Sequence, residues 1–119
     1  MKKILSLVMT VLLLSACAMH SPQLSHGGPA SVLMAQAGQH AADGDNAQAI
    51  ALLERAVRID PRNGHAWLRL ARLHFESGDL NKAEQFARRA MQFAGPDKLL
   101  KRECQVLLDK VRRNMKKAS

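Results

Sequence analysis

Tyrosine is absent from the 119 residues, and all aromatics together make up 3% of them: Trp67, Phe75, Phe86 and Phe93. Sandwiches and barrels draw on aromatic and β-branched residues. Their scarcity beside abundant Ala and Leu argues against an all-β fold. Two cysteines are too few for a disulfide scaffold. Four prolines and seven glycines exclude a collagen-like or low-complexity chain. Acidic residues are also short: 10 against 18 Lys and Arg, for a formal net charge of +8. The length allows one small domain and excludes a multidomain enzyme.

No apolar run is long enough to span a bilayer, which takes about 20 residues. The longest, Ile4 to Leu14, follows Lys2 and Lys3 and leads into Leu14-Ser15-Ala16-Cys17. Positive start, short apolar run and small residues form a secretory signal. The last four residues resemble a bacterial lipobox. That resemblance implies cleavage before Cys17 and acylation of Cys17, with 1–16 as signal peptide. Ala18 rather than Asp follows the cysteine, which by resemblance to lipoprotein sorting implies the outer membrane, facing the periplasm. More than one acyl chain gives stable anchoring. Residues 17–30 then read as acylated Cys and linker, with Pro22, Gly27, Gly28 and Pro29 and no periodicity. Thirteen such residues span roughly 20 Å as a coil. With Cys17 lipidated, Cys104 has no intramolecular partner; it reads as a buried helix residue, the alternative being an intermolecular disulfide or a reactive thiol.

From Ala37 onward the sequence repeats itself. AGQHAADGDNAQAIALLERAVRIDP from Ala37 aligns with ARLHFESGDLNKAEQFARRAMQFAG from Ala71, so that Gly44-Asp45 matches Gly78-Asp79, and Ala49 and Ala56 match Ala83 and Ala90. The period is 34 residues. Gly44 and Gly78 end one helix, Asp45 and Asp79 cap the next, and Pro61 stops a helix at Asp60, with Asn63 capping its successor. Helices are expected near 31–43, 46–59, 64–77 and 80–94. Ala49, Leu52, Leu53, Ala56 and Val57 supply an apolar stripe, and Glu54–Arg58 and Glu84–Arg88 are i,i+4 pairs. A fifth helix follows Pro96, capped by Asp97, with Leu100, Cys104, Leu107, Leu108, Val111 and Met115 on one face; its phase in the 34-residue frame is open by a residue or two. A helical stack needs such a cap.

Trp67, Leu70, Ala71, Gly78, Ala83 and Ala90 resemble the signature of the tetratricopeptide repeat family. The first copy departs from it with Leu33 and Gln36, and His40 and His74 stand where the family usually has Tyr. The resemblance implies an all-α solenoid: two helix-turn-helix repeats over 31–96, then a basic capping helix and tail over 97–119. It also implies a concave binding groove, whose family positions fall on Met34, Gly38 and Ala41, and on His65, Leu68, Arg69, Arg72, Phe75 and Glu76. Such a groove suits a partner helix or an extended peptide bearing an acid.

No catalytic set is present. The histidines form no HxxxH or HExxH pattern, and no phosphate loop or Gly-x-Ser-x-Gly occurs, so no enzyme, metal or cofactor is expected. Lipoproteins of similar design include scaffolds for peptidoglycan hydrolases, activators of bifunctional penicillin-binding proteins, and pilotins for secretin assembly. The expected function is therefore a non-catalytic adaptor that binds a periplasmic or envelope protein; the alternative is a homodimer whose groove is self-occupied. The basic excess lies mostly in 97–119. A periplasmic lipoprotein rarely meets nucleic acid, so none is expected as partner. The basic helix is either a solvated face or a contact with anionic phospholipid or peptidoglycan.

Overall fold

The computed structural model describes residues 28–119. The signal segment, Cys17 and most of the linker lie outside the described residues. Five helices follow one another: α1 (Pro29–Ala42), α2 (Asn46–Ile59), α3 (Gly64–Glu76), α4 (Leu80–Gln92) and α5 (Lys98–Ala118). There is no strand among the described residues. The first helix takes Pro29 and Ala30 from the expected linker. Pro29 sits at the start of α1, where its missing N–H would have had no partner anyway, and Ala30 is buried.

The helix ends are set by local chemistry. Asp45 accepts from Gln48 N at 3.2 Å, Asn63 from Ala66 N at 3.1 Å, Asp79 from Lys82 N at 3.1 Å and Asp97 from Leu100 N at 2.9 Å. Each cap satisfies an N–H that the helix itself leaves unpaired. Gly44 (φ 81) and Gly78 (φ 83) make the left-handed turns before two of them, a conformation costly for residues with a Cβ. Asp60, ahead of Pro61, is extended at φ −129 and ψ 82.

These landmarks resolve the phase of the last helix. Asn63 and Asp97 are 34 residues apart, as are Asp45 and Asp79, so α5 begins in register as the first helix of a third repeat. It differs in what it offers to a following helix. Trp67 and Ala71 of α3 are buried, whereas their counterparts on α5 are the exposed Lys101 and Gln105. Water can cover that face, as the end of a stacked array requires.

Packing follows the small residues. Ala49, Ala56, Ala66, Ala71, Ala83, Ala87 and Ala90 have no exposed surface, so α1 closes on α2, α3 on α4, and α5 on α4 and the edge of α3. Leu53, Leu68, Leu70, Val111 and Cys104 fill the spaces between. Trp67 lies 5.6 Å from the Phe86 ring and donates its Nε1–H to Pro61 O at 2.7 Å, with the Arg89 guanidinium 5.2 Å from its centroid. At Gly64 a Cβ would lie 2.9 Å from Leu100 Cδ2 and 3.1 Å from the carbonyl oxygens of Ala90 and Phe93. That glycine lets α3 start against the end of α4.

Of the two expected intrahelical pairs, Glu84–Arg88 forms at 2.6 Å. Glu54–Arg58 is not among the ion pairs of the described residues. The repeat-equivalent histidines differ in burial while each faces its repeat's aspartate, His74–Asp79 at 4.0 Å. His74 is buried against Phe86, ring centroids 5.3 Å apart. His40 is partly exposed and pairs with Asp45 at 3.5 Å.

Candidate functional site

The first helices of the repeats, α1, α3 and α5, line two neighbouring clefts with α3 between them. The cleft between α1 and α3 holds about 450 Å³; its walls include Ala37, Gly38, Ala41 and Ala42 of α1, Leu53 of α2, and Leu73 of α3. It exists because α1 is built of small residues on this side: no atom lies within 4 Å of where a Cβ would stand at Gly38. The cleft between α3 and α5 holds about 350 Å³, lined by Phe75, Val106 and Leu107 with Arg102, Glu103 and Lys110. Arg72 and Glu76 line both and form the ridge between them.

The ridge is braced in both directions. Arg69 Nη1 donates to Met34 O of α1 at 3.1 Å, and Arg72 Nη2 lies 3.3 Å from Glu103 Oε2 of α5. The Arg72–Glu103 pair is about half exposed and worth under about 1 kcal/mol, so a ligand carboxylate could displace Glu103 at small cost. Arg69, Arg72, Arg102 and Lys110 outnumber Glu76 and Glu103 around the clefts. The arrangement suits an apolar side chain in the first cleft and an acidic one in the second.

At the edge of this face His65 Nε2 lies 3.1 Å from Asp97 Oδ2. The Leu100 N–H, with help from His65, holds the Asp97 carboxyl below its usual range, in keeping with its place as the cap of α5. The buried His74 has an unpartnered Nε2 and a pKa pulled below the ordinary value, first by burial and then by Lys82. Burial pushes the Cys104 thiol up. Among the described residues no group of three or more His, Cys, Asp or Glu is placed to hold a metal.

Of the expected groove residues, Ala41, Arg69, Arg72, Phe75 and Glu76 line the clefts, with Gly38. Leu68 does not. It is 2% exposed and belongs to the core, because α3 is central and has neighbours on several sides. His65 faces Asp97 instead of a cleft, and Met34 lies beside the clefts, its sulfur accepting from Asn63 Nδ2 at 3.4 Å. The lining from α5 was missed, as were Ala37, Ala42, Leu53 and Leu73. The 34-residue step held the signal for α5: it carries Arg72 to Val106 and Glu76 to Lys110. Cys17 lies outside the described residues.

Comparison with known proteins agrees with this geometry. A family model described as Tetratricopeptide repeat matches residues 40–102. The globular C-terminal domain of P. aeruginosa LpoP is similar at 35% identity with a TM-score of 0.72, over 75% of this chain and 84% of that one. The Sgt2 TPR domain from Aspergillus fumigatus is similar at 26% identity with a TM-score of 0.65, over 76% of this chain and 60% of that one. No curated protein sequence matches the chain.

Proposed function

Since the chain belongs to the tetratricopeptide repeat family, we propose that it is a membrane-anchored, non-catalytic adaptor whose concave face captures a protein of the cell envelope. The observation that carries this reading is the pair of clefts flanking Arg72 and Glu76, apolar at the base and cationic at the rim. Acylated Cys17 holds the protein at the outer membrane on its periplasmic side, and the clefts select the partner. Confinement raises the partner's effective concentration without any new contact. The lipobox-like segment at Leu14–Cys17 and the likeness to the LpoP domain support an envelope setting. The partner would belong to peptidoglycan synthesis or hydrolysis, or to pilus and secretin assembly. In the alternative, a homodimer filling its own groove, Leu68 is not available as a contact because its side chain is in the core.

The test has two arms. Labelled palmitate should enter the wild-type chain in cells and not Cys17→Ser. Envelope proteins crosslinked to the wild type should then be assayed against Arg72→Ala and Phe75→Ala. Each variant should weaken the partner about tenfold, equivalent to about 1.4 kcal/mol. Unchanged affinity in both would refute the groove.

A further inference from the structure

We propose that the solvent face of α5 is a docking surface for an anionic phospholipid bilayer. The helix has 21 residues, about 32 Å at 1.5 Å per residue, and among the described residues no other helix covers its outer side. On that side stand Lys98, Arg102, Lys110, Arg113, Lys116 and Lys117, while Lys101 and Arg112 turn to the opposite flank. None of these six has an acidic partner among the described residues, and Arg112 pairs with Asp109 at 3.6 Å. Elsewhere Arg72 pairs with Glu103, Lys82 with Asp79 and Arg88 with Glu84. Glu103 is drawn to α3, and Asp97 is occupied as the cap.

Two large apolar side chains stand exposed among these charges, Leu99 at 65% and Val106 at 47%. Leu99, Val106 and Arg113 recur every seven residues and share one line along the helix. Arg102, Lys110 and Lys117 flank that line. Apolar residues set in a basic face are what an interfacial helix presents to a headgroup layer. A protein partner fits less well. The apolar residues are too sparse for a helix-helix seam, and four of the six cations are Lys, which protein interfaces disfavour. Arg102, Val106 and Lys110 also line the α3–α5 cleft. A bilayer on this face therefore competes with a protein for that cleft and leaves the α1–α3 cleft accessible.

The test is vesicle co-sedimentation of the chain from residue 17 onward carrying Cys17→Ser, so that neither an acyl chain nor the apolar run Ile4–Leu14 contributes. Vesicles of phosphatidylglycerol mixed with phosphatidylethanolamine are compared with pure phosphatidylcholine. Binding should be stronger on the anionic vesicles and should fall as salt shortens the screening length to about 10 Å at 0.1 M. Arg113→Glu with Lys117→Glu should weaken it more than tenfold, since each cation near the surface contributes roughly fivefold. Leu99→Ser with Val106→Ser, which changes no charge, should weaken it several-fold. All four sites are exposed, and unchanged helical circular dichroism would verify folding. Equal binding to both vesicle types, or wild-type binding by either double variant, would overturn the proposal. So would equally tight binding of a duplex oligonucleotide.

Discussion

Two glycines should respond to alanine in opposite directions. Gly38 lies in the exposed interior of α1, with nothing within 4 Å of the new Cβ. Alanine there gains the full helix preference, about 0.8–1.0 kcal/mol. Gly64 opens α3 and is buried; its new Cβ would meet Leu100 Cδ2 at 2.9 Å and the carbonyl oxygens of Ala90 and Phe93 at 3.1 Å. Leu100 can rotate away, but the two carbonyls belong to the end of α4 and move only with the backbone. Overpacking of this kind costs about 1–3 kcal/mol, and at a first helical position little propensity is gained to offset it. The net effect is a loss of about 1–2 kcal/mol. At about 4–8 °C per kcal/mol for a domain of this size, Gly38→Ala should melt above the wild type and Gly64→Ala clearly below it. Urea titrations should move the midpoint at constant slope. Shifts of the same sign, or a stabilised Gly64→Ala, would refute the close approach of α3 to the α4–α5 corner.

Further outcomes follow from the buried titratable groups. Burial lowers the His74 pKa in the folded chain, so the neutral ring's contribution to stability is whole above the unfolded value, about 6.5. It is lost as pH falls through the folded value. Urea midpoints should drop between about pH 7 and 5 in the wild type and drop less in His74→Tyr; equal slopes would place the acid sensitivity elsewhere. Cys104 is buried with its thiol pKa raised. It should resist thiol reagents until the protein unfolds; rapid labelling of the native protein would contradict its place in the core.

Helix identity was legible because it is written locally. Asp45, Asn63, Asp79 and Asp97 each cap the helix assigned to them, and Gly44 and Gly78 make the expected turns. The groove was legible where side chains project from an outer face, as at Arg72 and Phe75. It failed at Leu68, whose fate depends on how many neighbours α3 acquires, a tertiary fact that helical spacing does not carry. The share of α5 in the second cleft went unseen for a related reason. Lys101 and Gln105 stand where α3 has Trp67 and Ala71, and that polar substitution obscures the third copy of the repeat. The caps at Asn63 and Asp97 restore the frame.

The central claim is that the face formed by α1, α3 and α5 recognises a protein. Photo-crosslinking in intact cells tests it most directly, with the reactive residue at Glu76, which borders both clefts, and in a second strain at the exposed Ile59 of α2. A discrete adduct with one envelope protein from Glu76, absent from Ile59 and lost with Arg72→Ala, is the predicted result. Adducts equal from both positions, or from Glu76 only to another copy of the chain, would contradict it.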